Sequence, residues 1–383
     1  MNAPAASGPA KLSLAFLIYR YFPYGGQQRN MLTMAREAAA RGHRVTALCH
    51  RWEGDIPDGV TVVPIAAGGI GNHARLAAFA RGAAAWLDGA GSDLVVGFIK
   101  LPGLDAYYAA DPCFAEKAVN QRSWVYRLSP RTRTYLAFEQ AVFGRDSATH
   151  ILEVSPRERP SYIAHYGTQP ARFHTLVPGI ARNRRAPDDH RAIAANTRAA
   201  LGFGAGDELL LALGSGFRTK GLDRSIRALG ALHRQGRGCH LLVVGEDRSG
   251  PFRALASREG VADHVHFLGG RDDVPAILQA ADLLLHPAYR ENTGNALLEA
   301  MVAGLPVIAT RTCGYSHYVA DGDMGLVIDD DSTAGQIAGA VRELLAVPAT
   351  EWHRRGALFA ESADIYRRPE QAIDILESLR EDR

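Results

Sequence analysis

ADLLLHPAYRENTGNALLEAMVAGLPVIAT, residues 281–310, is the stretch on which the fold turns. Its opening, Ala281 to Pro287, is a short apolar run stopped by a proline and predicts a buried strand. Asn295 to Ala303 has the spacing of a short helix ended by Gly304, and Leu305 to Thr310 predicts the next strand. Strand, loop, helix and strand in that order specify a parallel sheet, whose ligand-binding loops gather at the carboxyl edge. Glu291 falls on such a loop and Glu299 inside the helix, about two turns along. Thr293, Gly294 and Asn295 lead into that helix, whose first N–H groups are open to an anion, and Gly294 lets a ligand come close to the backbone. Carboxylates accept hydrogen bonds from hydroxyls and are unsuited to phosphate itself. A phosphate site with a carboxylate on each side therefore fits a nucleotide-sugar: ribose, diphosphate, hexose. Two glutamates near a helix start are, on their own, an ordinary surface feature stabilised by the helix dipole; the rest of the chain shifts the balance.

The same alternation runs through the whole sequence. Apolar runs at 12–19, 45–50, 60–65, 94–98, 150–154 and 173–177 are separated by helical or polar segments, and runs at 209–213, 240–244, 265–268, 281–285, 307–310 and 326–328 repeat the pattern. Two such sets predict an α/β protein of two Rossmann-like domains, each a parallel sheet covered on both faces. The boundary is expected after Val177-Pro178-Gly179-Ile180, because 181–190 carries a proline, mixed charge and no apolar periodicity. Residues 1–10 read as a disordered leader, 11–180 as the first domain and 181–361 as the second. Residues 362–383 read as a terminal helix that caps the second domain or crosses back to the first.

The 383 residues suffice for two domains, and 47% apolar with 22% charged residues is the balance of a soluble globular chain. No apolar run approaches the roughly 20 residues of a membrane helix. The four cysteines have neither pairing nor metal-ligand spacing, which fits a reducing compartment, no structural zinc and no metal site. Net charge is +2, yet residues 1–180 hold 19 Lys and Arg against 13 Asp and Glu, while residues 181–383 hold 24 against 28. A basic first half beside an acidic second half implies different partners for each.

Several loops join the candidate site. Tyr21-Phe22-Pro23-Tyr24-Gly25-Gly26 lies between the first strand and its helix, and adjacent Gly25 and Gly26 permit unusual backbone angles and close ligand approach. Gly214-Ser215-Gly216-Phe217-Arg218-Thr219-Lys220-Gly221 is the matching exit in the second half. Arg218 and Lys220 oppose the dipole of the helix that follows, which implies an anion between them and suits a diphosphate. It is not a P-loop, because no Ser or Thr follows the lysine. Gly269-Gly270-Arg271 ends another strand at the same edge and could serve a nucleobase. Asp111, next to Pro112 and Cys113 in an apolar stretch, is a partly buried carboxylate that acts at a developing charge or simply caps a helix. Residues 117–135 hold Lys117, Arg122, Arg127, Arg131 and Arg133 and no acid, interleaved with Trp124, Tyr126, Leu128 and Tyr135. That mixture suits an anionic membrane surface or nucleic acid; a membrane is preferred, and nucleic acid is not expected as a partner.

Taken together, the Glu291 and Glu299 pair, Lys220 and the Gly25-Gly26 loop resemble family 4 of the retaining glycosyltransferases, of GT-B fold, in which two Rossmann-like domains face one another across a cleft. Gly103-Leu104-Asp105 through Cys113, Tyr126-Arg127-Leu128, Pro178-Gly179-Ile180, Asp282 to Ala288 and Cys313-Gly314-Tyr315 resemble the branch that glucosylates the lipopolysaccharide core of Gram-negative bacteria. The resemblance implies transfer of glucose from UDP-glucose to an inner-core heptose, or to a related lipid-linked anionic acceptor. It implies retention at the anomeric carbon, no metal and no cofactor, at the cytoplasmic face of the inner membrane. It implies Glu299 on the ribose, Glu291 on the hexose hydroxyls, Lys220 with Arg184 on the diphosphate and Arg271 beside the uracil. Asp111 would meet the acceptor, Gly25 and Gly26 would lie near the diphosphate and sugar, and the basic segment would bind the inner membrane. Two positions depart from the family pattern: Asn30 replaces an acid, and Arg218 stands two residues before Lys220 with Thr219 between. Rival readings are a sibling hexosyltransferase with another donor or acceptor and a non-catalytic sugar-nucleotide or membrane-binding protein. An epimerase lacks support, since the glycine fingerprint for a nicotinamide is absent.

Overall fold

The computed structural model describes residues 11–381 apart from 24 and 121; the leader expected at 1–10 lies outside the described residues. The chain divides into two compact units, one of residues up to Gly179 joined by those from Arg367 onward, the other Ile180–Tyr366.

In the first unit, seven strands run β1 (Ser13–Tyr21), β2 (Arg44–Trp52), β3 (Val60–Pro64), β4 (Leu94–Gly97), β5 (Ala106–Ala109), β6 (His150–Glu153) and β7 (Phe173–Thr175). They form one parallel sheet ordered β3-β2-β1-β4-β5-β6-β7. β5 was not among the expected strands. Its four residues, Ala-Tyr-Tyr-Ala, are buried on both faces and so show no alternation. Phe173 to Val177, expected as five residues, pairs over only three.

The second unit contributes β8 (Leu209–Leu213), β9 (His240–Val244), β10 (Val265–Gly269), β11 (Leu283–His286), β12 (Val307–Thr310) and β13 (Gly325–Ile328). Their order, β10-β9-β8-β11-β12-β13, is again all parallel. In both sheets the chain winds outward from a central strand and then reverses, between β1 and β4 and between β8 and β11. At such a reversal the two flanking connections leave in opposite directions and open a crevice at the carboxyl edge.

The terminal helix runs Arg368–Glu381, beginning six residues later than expected, after a separate helix Ala349–Ser362. Ala372, Ile373, Leu376 and Leu379 form one apolar stripe, buried with Leu14, Phe16, Met31 and Met34 in the first unit's core. Arg41, at the end of the helix Gly26–Ala40, is paired with Asp374 at 2.6 Å and Glu377 at 3.1 Å. Buried Arg368 donates to the carbonyl of Val177 at 3.0 Å. Each large apolar side chain in that stripe stabilises the unit by about 1.5–3 kcal/mol, so the helix is part of the first core rather than an appendage.

Candidate functional site

The reversal between β8 and β11 gathers three loops into one construction. After β8, Gly214 and Gly216 take positive φ and the backbone turns back on itself, with the Lys220 amide donating to the carbonyl of Gly216. Gly221, at φ +73°, passes so close to Pro287 that a Cβ would lie 2.0 Å from its carbonyl oxygen; no side chain fits there. The amides of Tyr289 and Arg290 donate to the carbonyl of Thr219, which fastens the β11 exit to the β8 exit. Glu291 forms a parallel bridge with Cys313, and the Tyr315 amide donates to Thr293, which fastens it to the β12 exit. The Asp247 carboxylate accepts from the Phe217 amide at 2.9 Å and holds the glycine-rich turn from its other side.

Within this frame Lys220 and Glu291 form an ion pair. The anion that stands beside Lys220 is the Glu291 carboxylate. Burial lowers the Lys220 ammonium from its usual range. Directly below, His286 ends β11 with its side chain 2% exposed and its Nε2 3.5 Å from the Glu291 carboxylate. Burial, and then the charge of Lys220, pushes His286 down to about 3, so its ring is neutral.

The helix Asn295–Val302 starts at Gly294, whose φ of +101° only glycine adopts readily. Glu299 is its fifth residue, so it stands little more than one turn from the helix start, not two. Its carboxylate lies 3.7 Å from Nε of Arg184, bringing together two residues far apart in sequence. Oδ1 of Asn295 is buried with no hydrogen-bond partner among the described residues, beside the helix N–H groups. Arg218 is exposed on the turn. Arg271 follows β10, two strands from the reversal, and forms a two-pronged pair with Asp273 at 2.8 and 2.6 Å.

In the first unit, two expectations change. Gly25 and Gly26 do not adopt positive φ. Gly25 precedes the helix with extended angles, φ −78° and ψ 135°, and a Cβ on Gly26 would meet none of the described residues within 4 Å, which leaves that backbone open to a ligand. Asp111 is exposed rather than partly buried; Tyr162 donates to its carbonyl oxygen at 3.0 Å. The buried carboxylate in this region belongs to Glu139, from the helix Pro130–Phe143. It accepts from the amides of Phe114 and Ala115 at 2.8 Å and from the Tyr166 hydroxyl at 2.7 Å, and pairs with Lys100. Nothing local in the sequence marks Glu139, because its partners come from three other segments.

Glu139 thereby anchors the basic segment. Lys117, Arg122, Arg127, Arg131 and Arg133 are all exposed, and Val119, Val125 and Leu128 stand among them at 40%, 56% and 52% exposure. Arg122 lies over the Tyr126 ring and Arg131 over the Tyr135 ring. The side chain of Trp124 lies outside the described ones. Among the described residues no helix is long and apolar enough to cross a membrane, and no cluster of His, Cys, Asp or Glu has the arrangement to hold a metal ion.

The sequence model of Glycosyltransferase Family 4 matches residues 24–184, and that of Glycosyl transferases group 1 matches residues 194–356. The chain belongs to this family of glycosyltransferases and has its GT-B fold. It is 41% identical over 366 residues to the lipopolysaccharide glucosyltransferase WaaG of Escherichia coli K12, covering 95% of this chain and 98% of that protein. The crystal structure of WaaG, a glycosyltransferase involved in lipopolysaccharide biosynthesis, superimposes with a TM-score of 0.84, covering 94% of this chain and 99% of that one. A GDP-mannose-dependent phosphatidylinositol monomannoside mannosyltransferase of Mycolicibacterium smegmatis is 32% identical, over 57% of this chain and 63% of its own.

Proposed function

We propose that this glycosyltransferase moves glucose from UDP-glucose to an inner-core heptose of lipopolysaccharide, with retention at the anomeric carbon. The observation that carries the reading is the meeting of Lys220 and Glu291 at the β8/β11 reversal, in a chain alike over nearly its full length to a lipopolysaccharide glucosyltransferase. Lys220 and the N–H groups leading from Gly294 into the helix carry the charge of the departing diphosphate, with no metal ion required. Thr293 and Asn295 border that diphosphate, and Arg218 reaches its outer side. Glu291 accepts from hexose hydroxyls; Glu299, oriented by Arg184, accepts from the ribose; Arg271 lies by the uracil. In the transfer, the bond from the anomeric carbon to the phosphate oxygen breaks, the diphosphate leaves with the bonding pair, the acceptor oxygen bonds to that carbon, and the acceptor's proton passes to the departing diphosphate. In the first unit, the backbone at Gly25 and Gly26 serves the donor, and Asp111 serves the acceptor. The basic segment seats the protein on the cytoplasmic side of the inner membrane, its lysine and arginines on anionic headgroups and Val119, Val125 and Leu128 among the acyl chains.

The test is transfer from labelled sugar nucleotides to core lipopolysaccharide from an Escherichia coli strain lacking its own glucosyltransferase. Product of one added hexose from UDP-glucose is expected, with little from UDP-galactose or GDP-mannose. Efficient use of GDP-mannose would instead favour the sibling reading that the mannosyltransferase relative invites. Binding of nucleotide-sugar with no transfer would leave a non-catalytic protein.

A further inference from the structure

His286 is the polar end of an otherwise apolar strand, and the reading above gives it no task. It is buried, its Nε2 makes no hydrogen bond among the described residues, and the Glu291 carboxylate lies 3.5 Å from that nitrogen. Three groups from two loops therefore meet at one point: Lys220 from the β8 exit, and His286 and Glu291 from either side of the β11 exit, with buried Cys313 behind them from the β12 exit. Lys220 is the charge partner of Glu291, whose Oε2 has no hydrogen-bond partner among the described residues. A diphosphate would compete for that same ammonium, and a carboxylate as enclosed as Glu291 is costly to leave unpaired.

We propose that His286 is a positioning residue that takes over Glu291 when Lys220 turns to the diphosphate, its Nε2–H donating to the carboxylate and aiming the free lone pairs at the hexose. The exchange rests on the donor reading given above. A neutral ring is what it needs. An imidazolium would compete with Lys220 for Glu291 and repel Lys220 itself. The burial that keeps His286 uncharged avoids both. The arrangement separates two tasks: the diphosphate is held by Lys220 without His286, whereas the hexose is aligned by Glu291 only with it.

The full-length protein tests this with UDP binding by calorimetry and initial rates of glucosyl transfer, for the wild type, His286→Leu and His286→Gln. His286→Leu is expected to bind UDP within about threefold of the wild type. Its kcat should fall about 10- to 100-fold, the factor that a hydrogen bond to a charged group represents. His286→Gln, whose side-chain N–H can reach the Nε2 position, is expected to recover most of that loss. His286→Asn, polar but too short to reach the carboxylate, is expected to show the same split as leucine and serves if the leucine variant does not fold. Turnover at the wild-type rate in leucine and asparagine variants, a fall in UDP affinity that tracks the fall in rate, or a glutamine variant no better than leucine would each overturn the exchange. Wild-type protein that transfers glucose yet shows no UDP binding would overturn the donor site itself, a different failure with a different signature.

Discussion

Replacing Glu139 by glutamine should destabilise the first unit far more than its conservative appearance implies. The wild-type carboxylate is fully buried and receives five donors: the Lys100 ammonium, the Cys113 thiol, the amides of Phe114 and Ala115, and the Tyr166 hydroxyl. The two oxygens share them, Oε1 taking Lys100 and Phe114, Oε2 taking Cys113, Ala115 and Tyr166. A glutamine keeps one acceptor oxygen and turns the other into a donor, so at least two partners face an N–H instead of an oxygen. Breaking one side of a buried pair costs about 3–5 kcal/mol. The side chain of Lys100 is 13% exposed and recovers some hydration, which places the expected cost toward the lower end. For a unit of this size each kcal/mol moves the midpoint by roughly 2–4 °C, so a fall of about 6–15 °C is expected. Calorimetry of the full chain should show one transition moving and the other, from Ile180–Tyr366, staying. Hydrogen exchange should accelerate across the helix Phe114–Asn120, which loses its anchored first turn. Adding Lys100→Met should restore part of the loss, because the stranded cation is gone. A shift below about 1 °C, both transitions moving together, or strictly additive single and double variants would refute the anchoring role.

Other consequences follow from the second unit. Glu291→Ala should abolish measurable glucosyl transfer, a loss of at least about 100-fold, while UDP still binds through Lys220, as calorimetry beside rate measurements will show. Gly221→Ala combines positive φ with a Cβ 2.0 Å from the Pro287 carbonyl oxygen, so a destabilisation of about 3 kcal/mol or more is expected in urea titration, together with weakened donor binding. Acid should weaken the same unit through its buried histidines. His286 is held down to about 3 and His353 to about 4, in both cases chiefly by burial. Both are neutral in folded and unfolded chains above about pH 6.5, and below that only the unfolded chain gains the protons. Stability is therefore lost as pH falls from about 6.5 toward 4, with His286 alone worth on the order of 2 kcal/mol by pH 5. His286→Gln should flatten that slope in denaturant melts taken across the range.

The strand-forming runs around Leu209, His240, Val265 and Val307 were legible because a parallel sheet covered on both faces demands unbroken apolar stretches between helical ones. β5 was not, since four buried residues give a period no window can resolve. Lys220, Glu291 and Gly294 stood out as charge and glycine at strand exits, and Glu299 as an acid in the helix that follows. Asp111 misled for a related reason: an acid among apolar neighbours reads as buried, yet Ala109 and Cys113 are buried while Asp111 and Pro112 between them are exposed. Gly25 and Gly26 misled through their pairing, which signals positive φ but here serves an open approach to the backbone.

The amino-acid sequence by itself determined two parallel α/β units, the loops at their carboxyl edges and the kind of charge each loop carries. Those properties reside in periodicity and composition over a few residues, which the chain's local physics enforces. Only the tertiary structure decided that Lys220 closes on Glu291, that Arg184 finds Glu299, that Glu139 gathers donors from three segments, that His286 is neutral and that the last helix completes the first core. Each of these depends on burial and on meetings between residues remote in sequence. The strength of a charge in a protein is set by what excludes water from it, and that is a property of the packed whole.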